Sequence, residues 1–338
     1  MTVLAVMTAL CNARSGSVPA NSRGTHIQTP SAGGPYDSAY ADRSIFVQRE
    51  VSEPFLDLGA NKTDFWLHYD MYVESMGAGS TGFIEFRSQS GTLQLVIQVT
   101  ASLSFEFQKS TNGTSGAGSL SGTSFSISAS TRHTFDIKVS LGASGEIKFY
   151  KDGTLVFTYT GDLTTNGDNA IRYVTWKGTD PRSRSKYISQ VVADTGSTVG
   201  FKVFNTYPIN VGTFTDWTGS WVGKSNQSFT DEAAGTYANT VGHKTSWTGV
   251  SLPAGASGMA VRAVANTVRA YVTPGATPQS VAAGVRFGTT NYEGDTYALD
   301  ALKGIQYVQH IWNTNPQTGL QWTYSDVGSI GFTYIAKA

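Results

Sequence analysis

The chemistry this chain could perform is constrained first by its carboxylates. The glutamates are Glu50, Glu53, Glu74, Glu85, Glu106, Glu146, Glu232 and Glu293. A hydrolase acting on a glycosidic bond needs two carboxyl groups flanking it, one donating a proton while the other attacks or activates water. No Glu-x-Asp-x-x-Glu run occurs in the sequence. Glu85 in "GFIEFRS" and Glu106 in "SFEFQ" are the one pair that adjacent strands could bring face to face. The competing reading makes both solvent-facing strand charges set between core residues Phe83, Phe86, Phe105 and Phe107, and it accounts for the alternation directly. The sequence therefore reads as non-enzymatic.

The other constellations are equally sparse. His26, His68, His133, His243 and His310 include no pair at metal-ligand spacing, and Cys11 is the single cysteine, so neither a soft-metal site nor a disulfide framework is expected. "DLTTNGDN" gathers Asp162, Asn166, Asp168 and Asn169 in one loop, which makes Asp162, Asn166 and Asp168 the calcium candidates. Their spacing is not that of a calcium loop, and turn formation by Asx residues explains the cluster better. No Gly-x-Ser-x-Gly elbow and no phosphate-cradling Gly-x-x-x-x-Gly-Lys run appears, so no cofactor is expected.

Binding leaves different traces. "KGTDPRSRSKY" crowds Lys177, Arg182, Arg184 and Lys186 into a basic loop, which reads first as solvated and second as a patch for an acidic neighbour or a phosphorylated glycan. Trp217, Trp221 and Trp247 stand among Gly, Ser and Thr, where an indole can anchor a core or subunit interface or stack on a sugar ring. These residues, with Arg182 and Arg184, are the interface or glycan candidates.

The elements that would have to position these groups are strands. Glycine is abundant at 37 residues, only 14% of residues are charged and 40% are hydrophobic, a balance typical of short strands joined by many turns. Lys+Arg and Asp+Glu are equal at 24 each, so no global field concentrates nucleic acid or an anionic membrane. "MTVLAVMTALC" is too short for a membrane span and lacks a basic start, so it reads as a first strand or docking arm. No later stretch approaches 18 apolar residues, which reads as a soluble protein.

Residues 12–43 are polar and rich in Gly and Pro, with no sustained period, and complete an extended N-terminal arm over 1–43 that packs against something, a neighbouring subunit included. From Ser44 the alternation is clear, in "IFVQREV", "DFWLHYDMYVES", "TGFIEFRSQ", "TLQLVIQVT", "SLSFEFQK", "SFSISAS", "HTFDIKVSL", "EIKFYKD", "TLVFTYTG", "IRYVTWKG" and "YISQVVAD". In "HTFDIKVSL" Phe135, Ile137 and Val139 share a face with His133, and Asp136 and Lys138 point the other way. Asp152-Gly153 supplies the positive φ that a two-residue hairpin turn needs between Glu146–Tyr150 and Leu155–Tyr159. The style changes near residue 200, so the expectation is an all-β chain: a sandwich over 44–200, then a second β-rich domain over 201–338.

The landmarks "FWLHYDMYV", "EIKFYKDGTLVFTYTG" and "YISQVV" resemble a laminin-G or concanavalin-A-like jelly roll over about residues 40–195. The run from "YISQVVADTGSTVGFKV" through "DWTGSW" to "WNTNPQTGLQWTYSDVGSIGFTYI" is similar to structural proteins of tailed bacteriophages. The closing pattern is carried by Asn315, Pro316, Thr318, Gly319, Trp322, Thr323, Val327, Gly331 and Phe332. This resemblance implies a virion component, tail-associated or surface-exposed (tail tip, fibre, spike or capsid decoration), partnered by other virion proteins, homo-oligomeric with a trimer compatible, and able to touch host-surface glycans, with no nucleic-acid or membrane partner. The rival class is a secreted or adhesive carbohydrate-binding module.

Overall fold

The computed structural model describes residues 1–7, 13–14, 27–28, 44–47, 53–73, 81–100, 102–113, 116–120, 124–165, 167–177, 186–204, 208–219, 236–250, 252, 254–302 and 306–338. The chain forms two compact units, the first ending at Val203 and the second beginning at Phe204. Both are built almost wholly from antiparallel strands, as the alternation predicts. Among the described residues no helix is long and apolar enough to cross a membrane.

Two sheets make the first unit. One runs, in hydrogen-bonded order, Thr154–Gly161, Gly145–Lys151, Arg132–Ser140, Asp64–Val73, Lys186–Asp194, Ser44–Val47 and Ile27–Gln28, with Val3–Met7 also paired to Lys186–Asp194. The other runs Gly116–Ser119, Ser104–Ser110, Leu93–Val99, Thr81–Arg87, Ile171–Trp176, Glu53–Lys62 and Ala13–Arg14, with Phe125–Ser126 also on Ser104–Ser110. The core between them is aromatic: Phe65, Tyr69, Phe83, Phe86, Phe105, Phe135, Phe149 and Trp176 are all fully buried. Phe107 stacks on Phe157 with ring centroids 4.3 Å apart. Each such ring stabilises the fold by about 1.5–3 kcal/mol through removal from water.

The Asp152-Gly153 turn forms as expected, with φ of 51° and 77° at its two residues. Asp152 also caps the neighbouring strand, since its Oδ1 accepts from the Thr134 backbone N–H at 2.9 Å and its Oδ2 lies 2.8 Å from His133 Nδ1. A register shift falls between Phe149 and Tyr150.

Some strands carry no clear alternation in the sequence. Glu53–Lys62 is a full strand although it contains Pro54 and Gly59. Its pairing jumps from Lys62–Ile171 to Asp57–Tyr173, so the intervening residues bulge and hide the alternation. Gly116–Ser119 has a glycine-rich sequence that carries no side-chain period and is paired through its backbone to Ser104–Ser110. Within the arm, Val3–Met7, Ala13–Arg14 and Ile27–Gln28 join this chain's own sheets, because ladder hydrogen bonds need no side-chain pattern.

The second unit pairs a five-stranded sheet, ordered Pro208–Thr215, Lys244–Val250, Gly331–Lys337, Ser280–Phe287 and Thr290–Ala298, with a two-stranded one formed by Val264–Ala270 and Gln306–Trp312. Val264, Val285, Phe287, Trp312, Trp322, Ile330 and Phe332 pack together between them. The closing motif is a structural corner of this unit. The Asn315 N–H donates to Leu320 O and the Gly319 N–H to Asn315 O, both at 2.8 Å, closing a tight loop. The Trp322 indole N–H then donates to Trp312 O at 2.8 Å. Thr323 caps the helix Tyr324–Ser329 in a reciprocal box with Asp326, a turn that the reading of residues 201–338 as β-rich does not anticipate. Gly331 is needed for close approach, since a Cβ there would sit 2.7 Å from the Trp247 carbonyl oxygen.

Candidate functional site

The residues with chemical character in the first unit gather on the outer face of the Asp64–Val73 strand, on the side away from the aromatic core. Period-two alternation sends Phe65, Leu67, Tyr69, Met71 and Val73 inward and Trp66, His68, Asp70 and Tyr72 outward. The antiparallel neighbour places Lys138 opposite Trp66, Asp136 opposite His68, Thr134 opposite Asp70 and Arg132 opposite Tyr72. Beyond it, Lys148 lies opposite Lys138 and Tyr150 opposite Asp136. On the other side Ser189 faces Asp70 and Val192 faces His68.

The centre of this face is sealed. His68 and Asp136 are both 0% exposed, with His68 Nδ1 2.8 Å from Asp136 Oδ1. The Thr198 hydroxyl donates to the same oxygen at 2.8 Å, from a segment that crosses over the strands after Asp194. Asp70 is buried as well and forms an ion pair with Arg132. Between Ser189 and Val192 the register shifts, and Gln190 there holds a left-handed φ of 52°. Its Oε1 accepts the Val203 backbone N–H at 3.2 Å, a second tie to the crossing segment. Among the described residues, His68 Nε2 and Asp136 Oδ2 are buried with no hydrogen-bond partner. Burial, with the charge of Asp136 second, pushes the Tyr69 phenol on the core side well above its ordinary value.

The margin of the face is open. Trp66 and Tyr150 are half-buried, with ring centroids 5.8 Å apart and planes inclined at 35°. Tyr72 and Tyr187 form a second aromatic pair at 6.1 Å toward the far end of the strand. Glu146 is bracketed by Lys138 and by Lys148, the latter at 2.7 Å. Hydrogen bonds from Lys138 and then Lys148 hold the Glu146 carboxyl below the usual glutamate range. A face of this kind can stack a ring and donate hydrogen bonds at its edge, while its titratable centre is out of reach.

The sequence-derived candidates are scattered by comparison. Glu85 and Glu106 are not on adjacent strands: Leu93–Val99 lies between, with Glu85 opposite Val96 and Glu106 opposite Gln98. Strands two apart are separated by roughly 9–10 Å, and Glu85 is engaged by Arg87 at 2.9 Å. Asp162 is 61% exposed, accepts from the Thr164 N–H at 2.8 Å and lies 3.4 Å from Lys109 Nζ. Asp168 accepts from the Ser90 hydroxyl at 2.6 Å. The Thr164 hydrogen bonds at Asp162, and those of Ser88 and Ser90 at Asp168, lower each carboxyl below the usual range. The two are thus engaged by separate turn partners, and no group of three or more His, Cys, Asp or Glu side chains that could hold a metal occurs among the described residues.

Trp247 is a core side chain, 4% exposed, packed against Tyr334, and offers no face to a sugar. Trp217 is half-buried, with its indole N–H donating to His243 O at 3.1 Å. Trp221, Arg182, Arg184 and Asn166 lie outside the described residues. The sequence reading missed the His–Asp pairings, His68–Asp136, His133–Asp152 and His310–Asp295. It also missed the outward row Trp66, His68, Asp70 and Tyr72, whose signal was the alternation of "FWLHYDMY" itself.

No protein-family model and no curated protein matches the chain. Among solved structures it is similar to the botulinum neurotoxin type G receptor binding domain, at 9% identity and TM-score 0.34 over 52% of this chain and 47% of that one. It is also similar to an endo-β-1,4-glucuronan lyase from Trichoderma reesei, at 12% identity and TM-score 0.35 over 54% and 94%. A third is the binding domain of Paraclostridial Mosquitocidal Protein 1, at 10% identity and TM-score 0.40 over 58% and 49%. The chain spans about half the length of the two toxin domains it matches. At these TM-scores the likenesses carry no argument about its activity.

Proposed function

We propose that the chain is a non-catalytic structural component of a tailed-phage virion, tail-associated or surface-exposed, whose first unit contacts glycans through the outer face of the Asp64–Val73 strand. The observation that carries the binding reading is the contrast within that face: His68 and Asp136 are sealed beneath Thr198, whereas Trp66, Tyr150, Lys138 and Lys148 remain half-exposed around them. Stacking and hydrogen bonding need only the margin, whereas proton transfer to a substrate would need the centre. The virion reading rests on the similarity of the closing pattern, which includes Asn315, Trp322, Thr323 and Gly331, to structural proteins of tailed bacteriophages.

Two measurements test the proposal. Cryo-electron microscopy of purified phage particles is expected to find this chain in a symmetric ring or fibre, and its absence from particles rejects the virion role. Binding of the full chain to an immobilised glycan panel is expected and is weakened by Trp66→Ala; a panel with no bound glycan rejects the contact face. A secreted carbohydrate-binding module would use the same face, and glycan binding without particle association identifies it.

A further inference from the structure

We infer that the Trp66–Tyr150 corner of the first unit binds a sugar bearing a carboxylate, a uronic or sialic acid residue. The inference rests on the glycan-contacting reading above and adds the chemical class. The sheet register sets Trp66, Lys138 and Lys148 in one row across three strands and His68, Asp136 and Tyr150 in the next. Two half-buried rings therefore border two half-exposed ammonium groups.

The balance of donors and acceptors points to an anion. Each ammonium carries three N–H donors. Lys138 engages Glu146 Oε2 and Lys148 engages Glu146 Oε1, so one carboxylate serves two cations. Two further acids lie on this face: Asp64 stands opposite Ser140, which in turn stands opposite Glu146, and Asp194 stands opposite Trp66, buried, with its Oδ1 accepting the Gly196 N–H at 2.7 Å. Lys148, paired with Glu146 on its own strand, lies on the side of the corner away from Asp64 and Asp194, with Thr158 opposite it on the outermost strand and exposed. A sugar laid with its C–H face on Trp66 and Tyr150 brings a ring carboxylate toward Lys148, where a charge-assisted hydrogen bond replaces water. The buried carboxylates Asp70 and Asp136 are matched by Arg132 and His68. Sugar hydroxyls have acceptors and donors in Thr158 and Glu146.

The test is calorimetric titration of the full chain with four probes: trigalacturonate, sialyllactose, cellotriose and lactose. At least one carboxylated probe is expected to bind about tenfold more tightly than the uncharged ones, and the first two arms tell a uronic from a sialic acid source. Lys148→Gln is expected to weaken that binding by about tenfold, Tyr150→Ala to lose it, and Tyr150→Phe to retain it, because only the ring stacks. Lys148→Gln is a surface change, and an unaltered circular dichroism spectrum shows that the fold is kept. Uncharged probes binding as tightly, or Lys148→Gln without effect, overturns the carboxylate class and leaves glycan contact standing. Carboxylate binding that survives Tyr150→Ala overturns the location. No binding of any probe overturns the inference, and the wider panel above then decides the glycan reading.

Discussion

Replacing Thr198 by valine removes a single hydroxyl from the sealed centre of the first unit while nearly preserving shape. The lost bond is the 2.8 Å donation to Asp136 Oδ1, between two side chains that are both 0% exposed. A buried hydrogen bond to a charged group contributes about 1.5–3 kcal/mol, because water cannot replace the missing donor. Asp136 keeps His68 as its remaining side-chain partner, which limits the loss to this range rather than to the larger cost of orphaning a buried charge. At about 1.4 kcal/mol per factor of ten, amide exchange through opening of the unit should quicken roughly 10- to 150-fold.

The assay is hydrogen exchange by mass spectrometry, following peptides from Asp64–Val73 and Arg132–Ser140 with Ser280–Phe287 of the second unit as the internal control. Asp136→Asn and the double variant complete a cycle, and a coupling of at least about 0.5 kcal/mol is expected for groups in direct contact. Exchange within twofold of the parent, strict additivity, or equal acceleration in Ser280–Phe287 would refute the view that Thr198 closes the face.

Gly331→Ala should destabilise the second unit by about 1–3 kcal/mol, since the new methyl meets the Trp247 carbonyl oxygen at 2.7 Å; faster exchange confined to its strands checks this. Trp322→Phe keeps the stacking on Phe287 but strands the Trp312 carbonyl, costing about 1–3 kcal/mol in the same measurement. The Thr323 backbone N–H donates to Asp326 and holds its carboxyl below the ordinary 3.8. A carboxyl depressed in the folded state stabilises fully above its unfolded value and loses that contribution as pH falls through the folded one. The cap should therefore hold at neutral pH and fail in acid, and a carbon-13 titration of Asp326 with a midpoint at or above 3.8 rejects it. Asp152→Ala should cost about 2 kcal/mol by freeing His133 and the Thr134 N–H together, read from exchange in Arg132–Ser140.

Strand identity was legible wherever one face is core and the other wet. "HTFDIKVSL" and "EIKFYKDGTLVFTYTG" fold as their alternation and their Asp-Gly turn require. It failed at Glu53–Lys62, where a bulge breaks the period, and at Gly116–Ser119, where there are few side chains to carry one. The helix Tyr324–Ser329 had its signal in the Thr323-Tyr-Ser-Asp326 order of a capping box, obscured by the apolar strand that follows it. At Trp247 the neighbouring Gly and Thr leave core, subunit interface and sugar stacking open, and only its strand's place inside the five-stranded sheet makes it a core side chain.

By itself the sequence determined which residues point inward, because a strand's side chains alternate whatever the strand pairs with. It also determined the hairpin, because only residues tolerant of positive φ make that turn. Tertiary structure decided which outward residues meet. His68 and Asp136 are far apart in the chain and touch because Asp64–Val73 and Arg132–Ser140 are paired in one register. Thr198 closes over them because the chain crosses that face after Asp194. A register is a property of two strands at once, and a shift of one residue would have turned every one of these groups to the other side of the sheet.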